Sequence, residues 1–461
     1  MIPLIGNGLA AALLGAAMGV ASFGIAFAVG MRRAVLAVFL IRSSCDPLFE
    51  LTKSALGTEM GAGAAINALV IGLALLFFVE SPVLVGSAIL PWAAFLMSAF
   101  TSALISPEPM MALKAFLPLI SYAAVFALPF ALVRSREWAV RCLMVVLYSS
   151  VIPVAYGFIE FASHARIMGE DRIGVKSTFT HPNIFAFYLT CLFSLILFML
   201  RSRLVSVPLR LKRLLVLYLP IIIVLLLLSG ARTAWVAAAI TLIVYASIID
   251  KRYLLCLLLV PFMIYIPGVE DRLVDLQSGN EDVGYAQLNS YAWRKLLWQN
   301  TWDWMQANPI QFFGYGLASF KHYVPLFHAR AASVPVGAHN TFLQIFFEMG
   351  IFGLLAFTWL FVALFTKLKK GFSVDKAGSI IMMTFALSFL VGSYADNMLD
   401  YLVVEWYFWF IMGVVCAWNE LIYQKHRSED ALASHSESPS GRFASARATT
   451  HANDAGFPQA R

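Results

Sequence analysis

Arg232 lies in Ser229-Gly230-Ala231-Arg232-Thr233-Ala234-Trp235, a short break between two apolar stretches. A guanidinium at membrane depth is costly unless something pairs it. It either holds an anion or is an arginine that snorkels to water or sets topology. His339 and Asn340 stand in Gly337-Ala338-His339-Asn340-Thr341, where the next apolar stretch begins. An imidazole there could take a proton from a hydroxyl nucleophile at neutral pH. It could equally be a hydrogen-bonded interfacial histidine, with Asn340 capping the helix that follows. Arg294 sits among aromatics in Tyr291-Ala292-Trp293-Arg294-Lys295-Leu296-Leu297-Trp298. That text suits a helix lying in the membrane interface, so the cation meets either a substrate or lipid headgroups. Lys176 precedes Ser177-Thr178-Phe179-Thr180-His181-Pro182-Asn183, part of a basic run from Arg172. His181 and Asn183 could bind substrate, or could cap and pack the next helix. Asp396, Asn397, Asp400 and Glu405 gather near the last apolar stretch, to pair the arginines or to contact sugar hydroxyls.

Familiar alternatives find no residues. The chain has no GxxxxGK[ST] phosphate loop, no DxD or HExxH, no His/Cys cluster with metal-ligand spacing and no GxSxG elbow. No metal and no cofactor are expected. Arginines at membrane depth beside a histidine suit a diphosphate carried on a lipid, bound through charge-assisted bidentate contacts. The histidine would then serve an acceptor hydroxyl.

These residues need a scaffold, and the composition dictates its kind. Of 461 residues, 60% are hydrophobic and 13% charged, against about 45–50% and about 25% in soluble domains. The chain reads as an all-α polytopic membrane protein. Apolar runs long enough to cross a ~30 Å hydrocarbon core fall near 8–30, 34–45, 63–79, 82–104, 111–133, 138–162, 184–200, 214–229, 234–249, 253–268, 341–365, 377–395 and 402–423. The expectation is 12–13 transmembrane helices, the first pair being ambiguous. Basic clusters at 32–33, 134–136, 201–213, 251–252, 367–376 and 425–427 fall on alternate connections, which makes that side cytoplasmic. The connections carrying Arg232, His339 and Asp396 then face outward, the periplasm of a bacterial inner membrane. The net charge of +7 therefore reflects topology, and no nucleic-acid partner is expected. The five cysteines lie in or beside apolar stretches without CxxC spacing, so neither a disulfide framework nor a zinc site is expected. The N-terminus lacks a basic n-region and a cleavage site and reads as a first span.

Residues 1–425 form the expected membrane domain. Within it, 269–340 is one large, partly helical outward loop, long enough to expect a function. Residues 426–461, rich in Ser, Ala and His, are expected to be a disordered cytoplasmic tail.

The runs at 177–183 and 229–235, Gly314-Tyr315-Gly316, Ala338-His339-Asn340 and the span with Glu348, Gly350 and Gly353 together resemble the O-antigen ligase and Wzy-type polymerase superfamily, over roughly residues 30–425. The resemblance implies transfer of a saccharide from a polyprenyl-diphosphate-linked oligosaccharide to an acceptor glycan, without metal or nucleotide. Arg232 and Arg294 would hold the diphosphate, and His339 would act as the general base. It also implies membrane lipids, a flippase and a chain-length regulator as partners. The stretch 41–47, Ile-Arg-Ser-Ser-Cys-Asp-Pro, resembles exopolysaccharide-type members, so a polymerase of exopolysaccharide or O-antigen repeat units is the leading expectation. A ligase passing the glycan to lipid A-core is the alternative. A transporter or flippase of lipid-linked glycans, or a membrane scaffold, would have to explain polar groups gathered at one face without internal repeats.

Overall fold

The computed structural model describes residue 24 and residues 27–56, 62–80, 82–163, 174–203, 205, 207–255, 265, 290–309, 312–328 and 336–436. The expected span 253–268 lies mostly outside them, as do most of 8–30, Arg172, Cys256 and the tail beyond Ser436.

In chain order the helices are α1 (Met31–Ile41), α2 (Asp46–Leu56), α3 (Ala62–Glu80), α4 (Pro82–Leu104), α5 (Pro109–Leu132), α6 (Arg136–Ser149), α7 (Val151–Ala162) and α8 (Pro182–Arg201). They continue with α9 (Leu209–Leu228), α10 (Arg232–Ile248), α11 (Ser290–Ala307), α12 (Phe320–Phe327), α13 (Thr341–Lys369), α14 (Lys376–Ala395) and α15 (Leu402–Ser436). No strand occurs among the described residues. Eight segments there are long and apolar enough to cross a membrane, and α10 is a shorter apolar helix. The chain is an all-α, multi-pass membrane protein. α15 runs on to Ser436, past position 426 where the tail was expected to begin.

Burial sorts the helices. α8 and the first half of α15, up to Asn419, are apolar around most of their circumference and lie buried in the middle, as a helix without a polar face must. α15 packs along α5, α8 and α13. Aromatic pairs fill the seams: Phe389 stacks on Phe408 at 4.1 Å, Phe39 on Phe410 at 3.8 Å, and Trp92 meets Trp409 edge-on at 4.7 Å. α3 and α9 instead leave residues such as Leu75, Val79, Leu214 and Leu217 exposed, the face a lipid solvent requires.

Two expected spans break, each for a local reason. The stretch 34–45 ends as α1 at Ile41 and turns through a 3-10 segment, Arg42–Ser44. Buried Arg42 pairs there with Asp46 at 2.6 Å. The stretch 138–162 divides into α6 and α7 at Ser150. Pro153 has no N–H for the Ser149 carbonyl and crowds it. That carbonyl takes the Ser43 hydroxyl at 2.8 Å instead, so the break leaves no buried acceptor without a partner.

The large loop folds onto the start of α13. Trp304 of α11 packs against Tyr315, Tyr323, Phe327 and Phe347 at 4.9–5.6 Å. A tighter joint lies beneath. Gly350 leaves helical geometry inside α13 (φ +65°), freeing two carbonyls. Tyr315 N–H donates to Phe347 O at 2.9 Å and Gly316 N–H to Glu348 O at 3.1 Å. Ser102 of α4 donates to the same Glu348 carbonyl at 2.6 Å. A Cβ on Gly350 would stand 2.1 Å from Phe312 O, and one on Gly314 2.4 Å from the Glu348 carbonyl. Glycine is required at both by conformation and by space.

Candidate active site at one end of the bundle

The first residues of α8, α10 and α13, the last of α14 and the turn before α15 meet at one end of the bundle. Asn340 caps α13, its Oδ1 accepting from Leu343 N–H at 3.0 Å, as the sequence alternative held. His339, one residue earlier, takes φ +47°, a left-handed conformation rare outside glycine. Such strain of about 1–3 kcal/mol persists where surrounding structure imposes it. Here Trp298 donates its indole N–H to Ala338 O at 2.8 Å, and Trp293 lies edge-on to the His339 ring at 5.4 Å.

His339 Nδ1 stands 3.5 Å from Asp396 Oδ1 and, although shielded from water, has no hydrogen bond of ordinary length. The imidazole thus faces the carboxylate without an ordinary hydrogen bond to it. Asp396 is 1% exposed and fully engaged. Asn183 Nδ2 donates to its Oδ2 at 2.7 Å, Asn397 N–H to its Oδ1 at 3.0 Å, and the Thr341 hydroxyl to its carbonyl at 2.9 Å. Burial alone would raise the Asp396 carboxyl. Its contact with His339 and the charge of Arg294 outweigh burial and hold the acid below its ordinary range. Asp396 is therefore an anion facing His339, fit to orient the ring and to stabilise an imidazolium.

Arg294 follows Trp293 on α11, so docking of that tryptophan over His339 brings the guanidinium into the field of Asp396. Arg232, the first residue of α10, donates to the hydroxyl of Ser290, the first residue of α11. The two arginines are thus linked through one short helix. Neither is buried.

The remaining sequence candidates divide. His181, not Asn183, caps α8: its Nδ1 accepts from Asn183 N–H at 3.1 Å. Asn183 is thereby free to reach Asp396, which is its role in the site. Lys176 stands apart, its backbone N–H donating to Glu160 Oε2 at 3.1 Å. Trp293 and Trp298 had read as membrane-interface anchors, yet they dock α11 on the site. The signal was present as aromatics flanking a cation, without a direction. Asn397, singled out in the sequence, takes a definite place, and Tyr401 is the other addition. Asn397 Oδ1 accepts from Asn340 N–H at 3.0 Å, and its side chain bonds Asp400. Tyr401 bonds Asn183 and Asp396.

Residues 215–358 match the family described as O-antigen ligase. The match covers about a third of the chain and supports the resemblance to the O-antigen ligase and Wzy-type superfamily. The matched stretch runs from α9 to the middle of α13 and contains Arg232, Arg294, His339 and the Gly350 joint, whereas Asn183 and Asp396 lie outside it. No curated protein matches the chain.

Proposed function

We propose that this protein is a glycosyltransferase of the bacterial inner membrane, acting on the periplasmic face. It would transfer saccharide units from a polyprenyl-diphosphate carrier to an acceptor sugar, polymerising exopolysaccharide or O-antigen repeat units. The observation carrying this reading is His339 held against buried, ionised Asp396 with Arg294 in the same field.

In this mechanism Arg232 and Arg294 bind the donor diphosphate and neutralise the charge that grows as it leaves. His339 accepts the proton of an acceptor hydroxyl, Asp396 stabilises the resulting imidazolium, and the hydroxyl oxygen attacks the anomeric carbon. The new glycosidic bond forms as the bond from that carbon to phosphate breaks. The carrier departs as polyprenyl diphosphate, with inversion at carbon from the single displacement. Positioning and charge stabilisation supply the acceleration, and no metal is invoked.

The description of the matched family favours a second reading, transfer of finished glycan to lipid A-core. A deletion strain complemented with wild type or with His339→Ala tests both. Loss of long exopolysaccharide with normal lipopolysaccharide supports the polymerase. Carrier-linked O-antigen beside unmodified core supports the ligase. Normal glycans in the His339→Ala strain would overturn the mechanism.

A further inference from the structure

A cavity of about 800 Å³ opens beside the site, between α5, α12, α13 and the 396–401 turn. Its wall towards His339 is made by Thr341 and Asn397, residues that also hold Asn340 and Asp396 in place. His339 and Arg294 do not line it, so it is a separate compartment sharing one partition with the site.

We propose that this cavity binds the acceptor saccharide, with Asp400 and Lys321 taking its hydroxyls and presenting the nucleophilic hydroxyl past Asn397 to His339. The proposal rests on the transfer reaction above. The volume lies in the usual range of ligand pockets, about 300–1,000 Å³, and takes more than one sugar ring. The lining carries both signs: Lys321 stands in the field of Asp400 and Glu348, and His322 pairs with Glu108 at the rim at 3.0 Å. A diphosphate would meet these carboxylates as repulsion. A polyol needs donors and acceptors together, which this lining supplies.

Asp400 gives the cavity its direction. It stands next to the first turn of α15 with its side chain exposed, bordering the void. Its low-dielectric surroundings push its pKa above the ordinary carboxylate value, against the pull of Lys321. Its carboxylate is an acceptor open to the cavity, which a sugar hydroxyl can meet. Asn397 bonds both Asp400 and the backbone of Asn340, so occupancy on one side of the partition bears on the geometry of the other.

The test uses the full-length protein in phospholipid nanodiscs. The probe is the delipidated repeat-unit oligosaccharide, released by mild acid from the host's own polysaccharide, and binding is read by saturation-transfer NMR. Wild type and His339→Ala are expected to bind it alike. Asp400→Asn and Lys321→Ala are expected to weaken binding by about tenfold each, the effect of one lost charge-assisted hydrogen bond. Asp400→Asn should also melt close to wild type, since the exchange keeps the shape of an exposed side chain, which separates lost binding from lost folding. Unchanged binding in both cavity variants would overturn the assignment. So would displacement of the oligosaccharide by equimolar inorganic diphosphate in wild type. Binding as expected with normal glycans in a His339→Ala strain would leave the cavity standing and remove the transfer mechanism.

Discussion

At Asn340 and Thr341 the start of α13 is held by side chains, with two asparagines, a threonine and an aspartate exchanging directional hydrogen bonds. At Glu348 and Gly350 the same helix is held by backbone, with two N–H groups of the 314–316 turn bonded to two carbonyls and no room for a Cβ. The side-chain joint can lose one group and keep its shape, so substitutions there should separate activity from folding. In the backbone joint the polar side chains, the Ser102 hydroxyl and the Glu348 carboxylate, only add to bonds between main chains, and any added atom displaces main chain. One helix thus carries a chemical anchor and a steric anchor, and their responses to mutation should differ in kind.

The largest expected effect breaks the steric anchor. Gly350→Val adds bulk 2.1 Å from a carbonyl oxygen at φ +65°, a destabilisation of about 3 kcal/mol or more. Folded protein recovered from membranes by size-exclusion chromatography should fall to a small fraction of wild type. Wild-type recovery would refute the joint. Next comes His339→Ala, expected to lower transfer by about 10³-fold, within the span of general-base losses, with recovery unchanged. Poor recovery would make His339 structural.

Asp396→Asn sharpens the comparison through pH. The acid is held below its ordinary value, so the stability it contributes is complete above about pH 4 and is lost as pH falls through the lowered value. Melting temperatures measured from pH 7 to pH 3 should drop at the acid end for wild type and drop less for the variant. At neutral pH the variant should transfer roughly thirtyfold more slowly, through loss of charge-assisted contacts. Parallel acid limbs would remove Asp396 as the titrating group. Ser290→Ala should give the smallest effect, about threefold slower transfer, because Arg232 loses one positioning bond while keeping its charge. A loss as large as that of Arg232→Ala would mean that Ser290 does more than position.

Much of the scaffold was legible because lipid imposes a length and an apolar composition on every span. The boundaries of α3, α4, α8 and α14 follow their apolar runs closely. The break at Ser150 was not foreseen, although Pro153 announces it. The reason the break is tolerated is Ser43, 106 residues away. The site divides in the same way. Arg232, His339 and Asp396 stood out by residue type and by their place at span ends. That Asn183 serves Asp396 rather than capping α8 depends on a bond spanning 213 positions, which periodicity cannot encode. The cavity has no signature in the sequence, since its lining comes from α5, α12, α13 and the last turn at irregular spacing.

The glycine joint also has a consequence in time. Ser102 and the Glu348 carbonyl it bonds are separated by 246 residues. The loop cannot dock on its partners until α13 has been synthesised and threaded into the membrane. Asp396, which completes the ion pair with His339, emerges later still. During biogenesis the site is therefore incomplete until nearly the whole membrane domain exists, and a chain stalled before the last two spans would lack the His339–Asp396 contact.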